Sequence, residues 1–239
     1  MTTEREFLDS YSPEPFERPS IAVDIALVTV LDDGPWVLVI QREQHPHKGT
    51  WQLPGGFVHI NESLDEAAAR VLAEKSGVTD VYTEQLYTFG DVNRDPRTRV
   101  ITVAYYALVD STHLTTRGVT GSMARIVVPW KGETGGPVGL EGDEGQLDTA
   151  FDHDQIIGMA VKRLRGKLNY APVGYELLPA EFTLLDLQRI HEAILGVTLN
   201  KDSFRRRMLA SGDLEPTGDR QTDVGHRPAA LYRHKAGTT

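Results

Sequence analysis

Gly55–Val78 reads GGFVHINESLDEAAARVLAEKSGV, and the order of the whole chain can be worked out from it. A glycine pair makes a turn. Ser63 stands three residues before Glu66, the capping-box spacing in which each side chain accepts from the other's backbone N–H. An alanine-rich run follows and Gly77 stops it, so the spacing predicts a helix opening at Ser63 and ending at Gly77. Upstream, Ile21–Leu31 is rich in Val, Ile and Thr, Asp32-Asp33-Gly34-Pro35 breaks it, and Trp36–Gln41 resumes, which reads as two strands and a turn. Downstream, strand-like runs occupy Val81–Phe89, Arg99–Asp110 and Ala124–Trp130. The six glycines of Gly132–Gly145 predict a surface loop, and the six acids between Glu141 and Asp154 read as solvated. Apolar residues at 156, 157, 160, 161, 164 and 168 predict a helix between Phe151 and Tyr170. Residues 1–19, with Pro13, Pro15 and Pro19, read as an extended arm.

The quoted stretch resembles the Nudix box, whose pattern is G, five residues, E, seven residues, R-E-U-x-E-E-x-G-U, with U aliphatic. Gly56, Glu62, Arg70, Leu72, Glu74, Gly77 and Val78 stand at the matching positions, and the preceding Trp51-x-Leu-Pro-Gly-Gly is typical of that family. The family's R-E-U-x-E-E here reads Arg70-Val71-Leu72-Ala73-Glu74-Lys75. Positions i, i+3 and i+4 share a helix face, where the resemblance implies three carboxylates around magnesium. This chain places Val71, Glu74 and Lys75 there instead. Magnesium requires hard oxygen ligands, and valine has none. An ammonium repels a divalent ion by about 2 kcal/mol at 4 Å in water, and by more when partly buried. The expectation is a Nudix domain that binds and does not cut, with no metal site and no catalytic residue.

Binding depends on other atoms. The turn at Gly55, Gly56 and Phe57 leaves backbone N–H groups open to a phosphate. Arg42 and Arg97 join the expected ligand site. Arg70 either contacts phosphate oxygens or orients carboxylates. Glu74 lies beside it. Lys75 either replaces metal charge at a diphosphate or extends into solvent. Trp51 either stacks on a base or fills the core.

Residues 171–180, with two prolines, form the expected linker between a domain over 20–170 and a smaller unit over 181–239. Thr183-Leu-Leu-Asp186 is a second capping box, opening a helix with Leu184, Leu187, Ile190 and Ile194 on one face and Gly196 as its stop. Asn200 caps a second helix, Lys201–Ala210, and two short strands follow near Leu214–Pro216 and Ala229–Arg233. Helix, turn, helix and two-stranded ribbon is a winged-helix layout. On the second helix Asn200, Ser203, Arg206 and Arg207 share a polar face suited to a major groove, and Lys201 and Arg205 flank it. His226 and Arg227 fall in the expected wing, positioned for a minor groove or a phosphate.

Phe89–Leu108 (FGDVNRDPRTRVITVAYYAL), Ala150-Phe-Asp-His-Asp154 and Gly225–Arg233 complete a resemblance to the Nudix-related transcriptional regulators of NAD metabolism, the NrtR family, over roughly residues 20–235. It implies an α/β Nudix fold, a mixed sheet between helices, followed by a C-terminal winged helix-turn-helix domain. It also implies a homodimeric repressor of NAD-biosynthesis or salvage genes, released from operator DNA by ADP-ribose or a related NAD breakdown product, with no cofactor required. The rival reading is an active pyrophosphatase acting on ADP-ribose or a nucleoside diphosphate derivative.

Composition agrees with this frame. The 239 residues hold no cysteine, which excludes disulfides and thiol catalysis. No apolar run approaches the roughly 20 residues of a membrane span, and the N-terminus lacks a secretory pattern, so a cytoplasmic location is expected. The net charge of -9 is uneven: residues 1–159 carry 12 Lys+Arg against 25 Asp+Glu, whereas residues 160–239 carry 13 against 9. Any polyanion is therefore expected at the C-terminal end.

Overall fold

The computed structural model describes residues 3–12, 14, 16–116, 119–168, 170–222, 225 and 227–235. Helix α1 (Glu4–Ser10) precedes β1 (Ser20–Leu31), β2 (Gly34–Gln41), β3 (Trp51–Gln52) and β4 (Gly55–Phe57). Helix α2 (Leu64–Ser76), β5 (Tyr82–Phe89), β6 (Val100–Leu108), α3 (Ser111–Thr116) and β7 (Ser122–Val127) follow. Then come β8 (Gly139–Gly142), β9 (Gly145–Leu147), α4 (His153–Lys167), α5 (Leu184–Leu195), α6 (Lys201–Ala210), β10 (Leu214–Arg220) and β11 (Ala230–His234).

The β1–β2 turn places both Asp32 and Asp33 at positive φ, 46° and 63°, a backbone twist that matches the flanking strands. Strand β1 pairs in parallel with β6 and antiparallel with β2, within a mixed sheet ordered β5-β6-β1-β2-β7-β8-β9. Short β3 adds to β2 and β4 to β1. Strand alternation then divides the core. Val23, Ile25 and Leu27 face α2 through Ala67, Ala68, Val71 and Leu72. Ala26, Val28, Ala104, Tyr106 and Leu108 face Ile156, Ile157, Ala160 and Leu164 of α4. The period of two along each strand forces this split.

Both expected capping boxes form, at Ser63/Glu66 and at Thr183/Asp186, and Gly77 and Gly196 close their helices at φ +75° and +68°. Four expectations need correction. The N-terminal arm contains α1, because Thr3 and Glu6 make a third capping box; Pro13 and Pro15 lie outside the described residues. The glycine-rich loop contains the β8–β9 hairpin, which β7 templates while Leu140 is buried beneath it. The expected linker is a 3-10 helix, Pro172–Leu177, with Val173 and Leu177 buried in the same apolar cluster as Leu187 and Ile194. The first ribbon strand runs on to Arg220, past a register irregularity after Pro216. Phe182 also exchanges two backbone hydrogen bonds with Tyr232 (2.9 and 2.8 Å), tying the ribbon to the start of α5.

One polar clamp fastens α4 to the sheet. Glu84 of β5 accepts from Tyr82, from Tyr106 (2.7 Å), from Arg163 (3.2 Å) and from Lys167. Burial alone would raise this carboxyl, but the bonds from Lys167, Tyr82 and Tyr106 outweigh it and hold the group at about 2. A depressed folded value stabilises above the ordinary carboxyl range, and that contribution is lost as pH falls through the folded value. The Tm difference between wild type and Glu84→Gln should therefore be full at pH 6 to 7 and close between about pH 4.5 and 2. A difference that stays constant in thermal melts down to pH 2 contradicts this role for Glu84.

Candidate functional site

A cavity of about 240 Å³ opens where β1, β4, the β5–β6 connection and the start of α4 meet. Its floor is ionic. Asp24, buried in an otherwise apolar strand, lies opposite Gly55, and a Cβ at Gly55 would fall 2.1 Å from its Oδ1. Only glycine lets strand and carboxylate approach so closely. Arg94, its side chain 5% exposed, donates to Asp152 through Nε (2.9 Å) and Nη2 (2.6 Å), and through Nη2 to Asp24 (3.4 Å). Burial works against the Arg94 charge, and Asp152 and Asp24 more than compensate.

His153 completes the floor. Its Nδ1 accepts from the Leu53 N–H (2.9 Å), so the neutral ring carries its proton on Nε2, 3.7 Å from Asp24 Oδ1. Burial holds this imidazole below its ordinary value, hence neutral at pH 7.

The rim is cationic and aromatic. Arg97 grips the buried Asp95 by Nε (3.0 Å) and Nη2 (2.7 Å) while its own side chain stays 47% exposed. Arg42 donates to the Pro46 carbonyl (2.9 Å) and to Gln52, and burial together with Arg97 lowers its affinity for the proton. Both guanidiniums lie over the Phe151 ring, at 4.8 and 5.9 Å from its centroid. Phe57 presents a half-exposed ring at the mouth. The arrangement offers guanidinium donors to an anion and apolar faces to a planar group.

Five of the expected ligand residues thus line one cavity: Arg42, Gly55, Gly56, Phe57 and Arg97. Four do not. Trp51 packs against the core and is held by Asp148 and Ala150 backbone. The donors of Arg70 go to Glu62 (2.8 and 2.6 Å), Glu74 (3.2 Å) and the Phe57 carbonyl (3.1 Å), the carboxylate-orienting alternative. The exposed Glu74 and Lys75 lie on α2, away from the cavity. Val71 is 1% exposed and packs under Gly56, where a Cβ would meet its Cγ2 at 3.0 Å. An apolar methyl, an arginine-bound carboxylate and an ammonium do not fit a magnesium site. Sequence reading assigned no role to Asp24, Arg94, Asp95 or His153, although an aspartate inside an apolar strand was a visible signal.

A second site lies on the C-terminal unit. Leu184, Leu187, Ile190 and Ile194 are buried, and Phe204 (3% exposed) with Met208 seats α6 against them. Arg206, two residues beyond Phe204 and so about 200° around the helix, points away from the core. Asn200 accepts from the Ser203 N–H (3.0 Å) and acts as the cap of α6. Lys201 and Arg205 join Arg220 and Arg227 along a groove of about 700 Å³ between α6 and the ribbon. Arg220, which the sequence reading passed over, also donates to the Pro228 carbonyl (3.1 Å) and so braces the wing. Arg207 turns to the other flank, covering Phe204 at 5.4 Å. His226 lies outside the described residues.

Residues 20–129 match the NUDIX domain family, and residues 174–234 match the NrtR DNA-binding winged helix domain. The chain is 38% identical to the ADPR responsive transcriptional repressor NtrR of Acinetobacter baylyi, over 97% of this chain and 88% of that protein. NrtR of Shewanella oneidensis, solved in complex with a 27mer DNA, superposes with a TM-score of 0.75 at 37% identity, covering 90% of this chain and 93% of that one. The Nudix domain of the same protein, solved with ADP ribose, gives 0.52 at 34% identity over 68% of this chain and 99% of that one. None of the described helices is long and apolar enough to cross a membrane.

The floor and the rim predict different costs. Arg94→Met leaves two carboxylates buried without their cation and should destabilise the protein by about 3–5 kcal/mol in urea melts. Arg97→Met, whose own side chain is half-exposed so that water can reach the one carboxylate it leaves, should cost less than Arg94→Met. Equal losses for the two variants contradict the buried triad.

Proposed function

We propose that this chain, which belongs to the NrtR family, is a DNA-binding transcriptional repressor of NAD-biosynthesis or salvage genes. Its Nudix domain binds ADP-ribose or a related NAD breakdown product without hydrolysing it, and binding releases the DNA. The observation that carries this reading is the groove of Lys201, Arg205, Arg220 and Arg227, because a free hydrolase has no use for a cationic cleft beside a helix-turn-helix. Arg42 and Arg97 suit a diphosphate, the paired strand Gly55–Phe57 lets backbone lie close to it, and Phe57 suits the face of a base. The donor set at Val71, Glu74 and Lys75 supports binding without catalysis, since the Glu62 and Glu74 carboxylates are taken by Arg70 and no cluster of three metal ligands stands among the described residues. As a homodimer the protein would present two reading helices to a near-palindromic operator.

The test is fluorescence anisotropy with duplexes from the gene's own upstream region. Affinity should fall steeply with salt, as counterion release requires. Arg206→Ala should cost about 1–3 kcal/mol on the specific duplex and less on random DNA, whereas Lys201→Ala should weaken both alike. ADP-ribose should lower affinity for the specific duplex by roughly 5- to 150-fold. With magnesium, ADP-ribose should remain intact. Robust turnover, or DNA affinity indifferent to ADP-ribose, overturns the proposal.

A further inference from the structure

Among the described residues, Arg165 is a buried cation without a carboxylate partner. The residue is 5% exposed, and its guanidinium donates to three backbone carbonyls: Ile194 (2.7 Å), Gly132 (2.9 Å) and Trp130 (3.4 Å). It also lies over the Trp130 ring at 4.8 Å. Burial lowers its proton affinity, with no acid opposing. Such a charge is costly to bury, so its three acceptors must stay in place around it.

The position of those acceptors is informative. Ile194 lies in the last turn of α5, where orphan carbonyls carry the negative end of the helix dipole. Gly196 follows, and a Cβ there would stand 3.3 Å from Arg165 Nη2. Trp130 and Gly132 belong to the connection after β7, in the sheet domain. One guanidinium therefore joins three elements: α4 that bears it, the sheet domain, and the helix that carries α6 and the DNA-facing groove.

The other end of α4 is the ligand cavity. Asp152, its first flanking residue, is held by Arg94, and His153 faces Asp24 on the cavity floor. From His153 to Lys167 the helix is 15 residues, about 22 Å of stiff rod. A ligand that shifts Arg94 or Asp24 shifts the root of this rod, and its far end holds the last turn of α5 through the Ile194 carbonyl.

We propose that α4 couples the ADP-ribose cavity to the winged helix, and that Arg165 is the positioning residue through which the coupling passes. This rests on the repressor reading above. A buried cation keeps its carbonyls or loses them, so the joint has discrete arrangements, and packed interfaces amplify small shifts in that way. The coupling energy then resides in the joint, not in contacts to either ligand.

The test uses the full-length protein with Arg165→Gln, Trp130→Leu and, as control, Arg163→Gln, whose bonds to Glu84 and the Leu86 carbonyl stay inside the sheet domain. ADP-ribose affinity of the DNA-free protein is read by calorimetry, and DNA affinity with and without ADP-ribose by anisotropy. In Arg165→Gln, ADP-ribose should bind within about threefold of wild type, while its effect on DNA affinity shrinks toward onefold. Trp130→Leu, which loosens the same seat without removing the cation, should reduce the effect partway and reports if the first variant does not fold. Arg163→Gln should keep it in full. Undiminished coupling in Arg165→Gln, or in a folded Trp130→Leu, overturns the proposal. Wild-type DNA binding that ignores ADP-ribose instead overturns the repressor reading itself.

Discussion

Arg94, clamped between Asp24 and Asp152, is the interaction on which the rest of the molecule depends. It is buried in the seam where β1, the β5–β6 connection and α4 meet, and it fixes all three. Its charge can be buried only because the buried Asp24 and the partly buried Asp152 lie against it, and Asp24 fits only because Gly55 lets β4 approach. The triad makes the cavity floor rigid, sets the start of α4, and leaves Arg42 and Arg97 at the rim. Removing Arg94 leaves two carboxylates without their cation, which is why the floor reads as structural.

The cavity and the helix face of the box are separate parts of the fold. In a Nudix box the metal-holding residues lie along one face of α2, whereas this cavity is built from β1, β4 and loop residues on the opposite side of the glycine turn. Val71 fills the space under Gly56 with methyl groups, so the turn stays supported when the carboxylate position is apolar. Arg70 still braces Glu62 and Glu74, so the box keeps its architectural part.

Much of this was legible in the chain. Capping boxes at Ser63/Glu66 and Thr183/Asp186, with Gly77 and Gly196 as stops, marked α2 and α5 because such signals are local. The same logic applied to Thr3/Glu6, where three prolines drew the reading toward an extended arm. The β8–β9 hairpin was hidden because its glycines carry low strand propensity, and it forms through pairing with β7, a tertiary effect. In the cavity, Gly55, Gly56 and Phe57 sit inside the motif and could be read directly. The floor could not: Arg94 meets Asp24 70 positions away and Asp152 58 positions away, pairings that only the folded sheet supplies. Arg207 turned away from the expected reading face for a comparable reason, because its guanidinium settles on Phe204.

On the proposed function, one chain links an ADP-ribose cavity to a DNA-reading groove. Linkage makes that claim symmetric: whatever factor ADP-ribose takes from operator affinity, operator must take from ADP-ribose affinity. The most direct measurement is calorimetry of ADP-ribose binding to the full-length protein, free and saturated with its operator duplex. Binding to the complex should be weaker, by the same factor that ADP-ribose imposes on DNA affinity. Identical ADP-ribose affinities in the two titrations would contradict it, leaving a DNA binder and a Nudix ligand site with no connection between them.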